Sequence, residues 1–329
     1  MILTRDPQAW TDLYQHPLHA RILPLPAEVR DFVLQVNEAT GLDAVPEAVH
    51  ADAGLHADIA QALRGLPAGV LGLVSPLLLG VCLGRGLGSS GATDIVVDAA
   101  DGRILGCVVL LDVELMAGHT ANSWATWKDN LPFARGRGFA LDTTIAAPRD
   151  DTRANALQFL LLHEFGHVLT ADGNFLPRWW EAMPDTHFCW EFPYLALSWT
   201  TDAFGRFVLQ QRSDFALRDA VDFYGKRQLH GDAIVTAYAG LELADFASLY
   251  GATNPYDDFA ECFATYVHVE MLGRPHVLRI DLDGEPRAWL DSFWASPRSN
   301  AKRAFMERML GLDTPAVMAA NEALARAAA

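Results

Sequence analysis

Apolar and polar residues follow two different periods along this chain. In "PAEVRDFVLQVNEA" the residues Val29, Phe32, Val33 and Val36 recur at i, i+3, i+4 and i+7, which predicts an amphipathic helix, and "PEAVHADAGLHADIAQALRGL" continues in that style. The period then changes to two. Strands are predicted near 93–98 and 103–114, joined by Asp101-Gly102, a strong hairpin-turn signal. A further strand is predicted over 138–147, "GFALDTTIAA", so that a sheet comes just before the next helical pattern. Residues 173–250 mix helical signals with the breakers Pro177, Pro184 and Pro193 and define no clear elements. From Pro297 onward Ala304, Phe305, Met309 and Leu310 return to helical spacing. No repeat or clean linker cuts the chain. The region 1–150, helical and β with a strand expected at a cleft edge, and the region 151–329 are therefore expected to form one continuous unit.

Twenty uncharged residues separate Arg64 from Arg85, long enough to cross a bilayer, but two prolines and five glycines interrupt them and a strand pattern follows at once. A buried segment of a globular fold is expected there, and no membrane association. At 51% hydrophobic and 20% charged residues the composition is that of an ordinary globular protein. A formal net charge of −16 argues against a nucleic-acid partner, because phosphate recognition rests on Lys and Arg. Cys82, Cys107, Cys189 and Cys262 lie far apart without a CxxC pair and are expected to be free thiols. An early Asp6 and the lack of an apolar run at the N-terminus point away from a secretory signal, so a cytoplasmic location is expected. Nothing in the sequence speaks to an oligomeric state.

Two motifs compete for chemistry. "GRGLGSSG" matches GxGxxG at Gly86, Gly88 and Gly91, but it leads into a strand where a dinucleotide site needs a helix, so a turning loop is expected. "RGRG" at 135–138 reads as a solvated loop, with a substrate contact before the following strand as the alternative. "LLLHEFGHVLT" carries more. Residues four apart share a helix face, so His163 and His167 can bind one zinc ion while Glu164 reaches its water. The bland alternative is a core helix with two satisfied histidines, but an unpaired glutamate in so apolar a run would be costly to bury. Capping residues in "RDDTRA" and Gly173 at the end of "TADG" bound the helix, and Leu157, Leu160, Leu161 and Val168 form its apolar face.

Catalytic zinc takes three protein ligands and leaves one position for water, so a third ligand is needed. In "DDFAECFATYVHVEM", Phe259, Cys262, Phe263 and Tyr266 make an apolar side, while Asp257, Glu261 and His268 lie near one another on the remaining face. Asp258 points about 100° away from Asp257 on an ideal helix.

HEFGH followed by a separate acidic helix resembles the gluzincin metallopeptidases, and among them the catalytic domain of anthrax lethal factor and its relatives. That group pairs HEFGH with SYGxTNxxEFFAExF, and "SLYGATNPYDDFAECF" aligns without a gap at Tyr250, Gly251, Thr253, Asn254, Phe259, Ala260, Glu261 and Phe263. The likeness covers about thirty residues. It implies that His163 and His167 are zinc ligands, Glu164 the general base, and Tyr250 a donor to the transition state. In that register the family's ligand glutamate falls on Asp257 and an acid behind the first ligands falls on Glu261. Aspartate is one methylene shorter, so either the helix approaches the metal more closely or Glu261 takes over the coordination.

The expectation is thus an α+β zincin-like fold with zinc at its centre. It would hydrolyse a peptide or protein lying antiparallel along the strand predicted over 138–147. A zinc-binding protein without turnover, and a hydrolase of a non-peptide amide, are the alternatives.

Overall fold

Strand pairing begins at the Asp101-Gly102 turn. The computed structural model describes residues 1–134, 138–181, 191–224 and 228–312. The strands are β1 (Ile2–Thr4), β2 (Ile22–Pro24), β3 (Glu47–Ala48), β4 (Leu78–Arg85), β5 (Gly91–Asp98), β6 (Ile104–Asp112), β7 (Phe139–Thr144), β8 (Trp199–Thr201), β9 (Phe207–Leu209), β10 (Val277–Leu282) and β11 (Glu285–Leu290). The helices are α1 (Pro7–Asp12), α2 (Ala27–Thr40), α3 (Ala53–Arg64), α4 (Ala68–Val74), α5 (Val113–Ala117), α6 (Ala121–Asn130), α7 (Arg153–Thr170), α8 (Leu195–Ser198), α9 (Ala233–Leu241), α10 (Pro255–Tyr266) and α11 (Asn300–Met309). The class is α+β.

The β5–β6 hairpin forms the middle of a mixed sheet of order β1-β5-β6-β4-β2, with β3 on β4. Successive residues point to opposite faces. Val81, Leu83, Ile95, Val97, Val109 and Leu111 enter one hydrophobic cluster with α3, α6, α7 and α10, while Leu79, Cys82, Val96, Val108 and Leu110 enter a second with α2. Both faces are covered, which is why β4 reads as an unbroken apolar run. The uncharged stretch 65–84 is therefore α4 followed by β4, buried in the fold. No described helix is long and apolar enough to cross a membrane. The larger cluster runs from Leu18 to Met306, so the regions before and after residue 150 share one core.

Two expectations about elements are corrected. The buried stripe of α2 is Val29, Val33 and Asn37, whereas Val36 is exposed. The sheet meets α2 along an i, i+4, i+8 row, and the Asn37 amide is spent on the Ala44 and Gly86 carbonyls. The strand predicted over 138–147 forms as β7 but does not border the cleft. It belongs to a separate sheet, β11-β10-β7, and its outer edge is covered by α6. Thr126 Oγ1 accepts from the Thr143 amide at 2.9 Å, Asn130 Nδ2 donates to the Leu141 carbonyl at 2.9 Å, and Asn122 Oδ1 accepts from the Ile145 amide at 2.8 Å. Polar side chains every four residues on one helix face have taken the backbone groups that a substrate would need.

The cleft edge is β5. It pairs with β6 from Gly91 to Val97, but β1 covers its other side only at Val96–Asp98. Among the described residues no strand pairs with the outer edge of Gly91–Ile95. The free thiols Cys82, Cys107 and Cys262 are buried. Cys189 and Arg135–Arg137 of the "RGRG" stretch lie outside the described residues.

Candidate metal centre

Local sequence starts both helices of the site. Thr152 caps α7 by accepting the Asn155 amide, and the helix then runs buried on nearly every side through the core. Asn254 caps α10, accepting the amides of Tyr256 at 3.0 Å and Asp257 at 2.9 Å, with Pro255 at the first helical position. The helices cross at Gly166 and Ala260. A Cβ on Gly166 would fall 2.5 Å from the Ala260 Cα, so only glycine permits this approach. Close crossing is what brings an aspartate, with its short arm, to the histidines.

His163 Nε2 and His167 Nε2 are 3.2 Å apart. Asp257 Oδ1 lies 3.7 Å from the first and 3.4 Å from the second. Ligands held at 2.0–2.1 Å around a tetrahedral ion are separated by roughly 3.3 Å, so the triangle has the size such an ion needs. These three residues form a buried group that could hold a metal ion. No family model, curated protein or solved structure matches this chain. The chemistry of the site must therefore be read from its own atoms.

Asp257 is oriented as well as placed, because its Oδ2 accepts from Asn254 Nδ2 at 2.5 Å. Burial disfavours charge on both Asp257 and His167. Their mutual hydrogen bond and attraction prevail, holding the carboxyl below and the imidazolium above their ordinary ranges. A cation at the centre would keep Asp257 ionised in the same way and displace the proton from His167, since a ligating imidazole is neutral.

The other acids of the helix lie elsewhere. Glu261 faces the opposite ring nitrogen: its Oε1 is 2.9 Å from His163 Nδ1 and 2.7 Å from Lys128 Nζ, and Ser248 Oγ donates to its Oε2 at 2.7 Å. Burial would raise the Glu261 carboxyl, but Lys128 and then His163 outweigh it and hold the group well below the usual carboxylate range. Asp258 turns into the core, bonded to Lys302 Nζ at 2.6 and 2.8 Å with Trp199 Nε1 and the Tyr194 hydroxyl donating to it. His268 leaves the site altogether. It lies in a π-turn, Val267–Met271, with Nε2 2.8 Å from the Ile145 carbonyl.

Glu164 points to the β5 side. Thr93 Oγ1 donates to its Oε2 at 2.8 Å, and a Cβ on Gly91 would sit 2.8 Å from its Oε1. The last glycine of the GxGxxG match therefore makes room for this carboxylate, while Gly86 and Gly88, with φ of 71° and 83°, turn the loop before it. Tyr250 stacks on the His163 ring, centroids 5.4 Å apart and planes at 21°. Burial, then the Asp257 charge, pushes its phenol well above the ordinary value, so it remains a proton donor at neutral pH. Ligand atoms, Glu164, Tyr250 and the β5 edge open together onto a cavity of about 340 Å³, also lined by Trp179, Tyr224 and Tyr256.

Sequence reasoning did not find Lys128, Ser248, Thr93 or Tyr224. Lys128 carries no local signal beyond its place in "NSWATWKDNLPF". The capping role of Asn254 was legible in "TNP", where an N-cap residue precedes a proline.

Proposed function

We propose that this protein is a zinc-dependent metallopeptidase with a zincin-like fold. The observation that carries the reading is the triangle of two Nε2 atoms and one Oδ1, set beside a separate carboxylate and below an open strand edge. Two imidazoles and one carboxylate at tetrahedral spacing suit zinc, which would supply a Lewis acid and lower the pKa of water at the site. Glu164, on α7 next to His163, is not part of the ligand triangle and its Oε2 is held by Thr93 of β5, so it serves as the base. It takes a proton from the attacking water and returns it to the leaving amine nitrogen. The Tyr250 hydroxyl donates a hydrogen bond to the carbonyl oxygen as charge develops there. The backbone around Thr93 offers an extended peptide an edge that no described strand pairs, in place of the strand expected from the sequence. On either side of it Asp94 Oδ1 takes the Ile95 amide at 2.7 Å and Ser89 Oγ donates to the Gly91 carbonyl at 2.6 Å.

Two measurements test this reading. Elemental analysis should give one zinc per chain in the wild type and little in His163→Ala. Glu164→Gln should keep its zinc and lose nearly all peptide hydrolysis. Hydrolysis by Glu164→Gln near the wild-type rate, or zinc retained in full by His163→Ala, would refute the proposal.

A further inference from the structure

Lys128 is a buried charge that the chemistry above leaves unused. It projects from α6 at 6% exposure, and its Nζ lies 2.7 Å from Glu261 Oε1, the oxygen that also faces His163 Nδ1. Three rings wall it in, with Nζ 5.3 Å from the Tyr250 centroid, 5.6 Å from Trp124 and 5.8 Å from Phe159.

A buried lysine–glutamate pair is a weak way to stabilise a fold. Desolvation offsets most of the attraction, and apolar side chains of similar volume often do as well. Two contacts give the pair another use. With Oε1 bound by Lys128 and Oε2 held by Ser248, the Glu261 carboxylate is kept 2.9 Å from His163 Nδ1, a buried nitrogen with no other hydrogen-bond partner among the described residues, where its charge favours the proton on that nitrogen. That tautomer leaves the Nε2 lone pair free on the side of His167 and Asp257. The same ammonium sits over the ring of Tyr250, which stacks on His163. Charge points the same way: Glu164, Asp257 and Glu261 converge on the site, a divalent ion offsets two of them, and Lys128 offsets the third. Asp129, the next residue, is turned aside onto the Thr143 hydroxyl at 2.6 Å.

We propose that Lys128 is a positioning residue of the metal centre, locking His163 through Glu261 and bracing the ring of Tyr250. This rests on the metal-binding reading and not on peptide hydrolysis.

The test is the visible d–d spectrum of the full chain loaded with Co²⁺, which reports ligand geometry with no substrate present. Lys128→Met keeps the packing of the stem and removes the charge. Its bands should shift from those of the wild type, and with a cleaved peptide its kcat should fall about tenfold to a hundredfold with KM within about twofold. Lys128→Gln, which keeps a donor for Glu261 without the charge, should give an intermediate spectrum and serves if the methionine variant does not fold. A folded variant with wild-type bands overturns the proposal and leaves Lys128 a structural partner of Glu261, whatever its melting temperature. Were the wild type to cleave no peptide, the peptidase reading would fall while the Co²⁺ bands still judged Lys128.

Discussion

Asp257 occupies the third position of α10, where the cap residue Asn254 holds one of its oxygens and leaves the other to the histidine Nε2 atoms. Glu261, one turn on, reaches the far nitrogen of His163, and Asp258 between them is neutralised in the core by Lys302. Arm length follows this division. The shorter acid suffices where Gly166 lets the helices touch, and the longer one spans to Nδ1 and Lys128. In a zinc titration Asp257→Ala should lose binding at low free metal. Glu261→Gln, which can still accept the Nδ1 proton, should weaken it about tenfold, at the mild end of effects of residues behind the ligands. Glu261→Gln abolishing binding while Asp257→Ala retains it would exchange the two roles.

The α7–α10 crossing is the element on which the triangle depends. Alanine at 166 would gain about 0.5–1 kcal/mol in helix propensity over glycine. Its Cβ, however, meets the backbone of Ala260 at 2.5 Å, where no side chain can move aside. Gly166→Ala should therefore destabilise the fold by about 1–3 kcal/mol and weaken zinc binding, because the helices must part. Urea midpoints and zinc affinity should fall together, and a stabilised variant with unchanged affinity would show that this contact does not set the geometry. A different element decides substrate access. β7 looks like the cleft strand because it directly precedes α7, yet the 122, 126 and 130 side chains of α6 have already closed its edge.

Over the whole molecule, acid should unfold the protein through two histidines outside the site. Burial pushes His268 down to about 3 and His276 down to about 4, from 6.5. As pH falls below 6.5 the unfolded chain takes up protons that the folded chain refuses, so this stability is complete above pH 6.5 and drains away toward pH 4 and below. At pH 5 each group should cost about 2 kcal/mol, at 1.36 kcal/mol for each unit. Asp129, pushed up to about 6 by burial, works in the opposite direction. The loss on going from pH 7 to pH 5, measured by urea unfolding in EDTA, should thus be smaller in His276→Asn by about 2 kcal/mol. Equal losses in the two proteins would show that His276 is not held neutral.

What the sequence determined by itself is what short-range spacing can encode. The β5–β6 hairpin, the two histidines on one helix face, the caps at Thr152 and Asn254, and the placing of Asp257 and Glu261 on a shared face all follow from neighbours within a few residues. The tertiary structure decided everything that depends on which surfaces meet. Helical spacing cannot say which acid faces Nε2 and which Nδ1, because that is set by the depth at which α7 and α10 cross. It cannot show that Lys128 arrives from 133 residues away, that Asn37 replaces Val36 in the buried stripe, or that β5 keeps the open edge while α6 covers β7. Those outcomes arise from packing and hydrogen-bond satisfaction between distant segments, which leave no period in the chain.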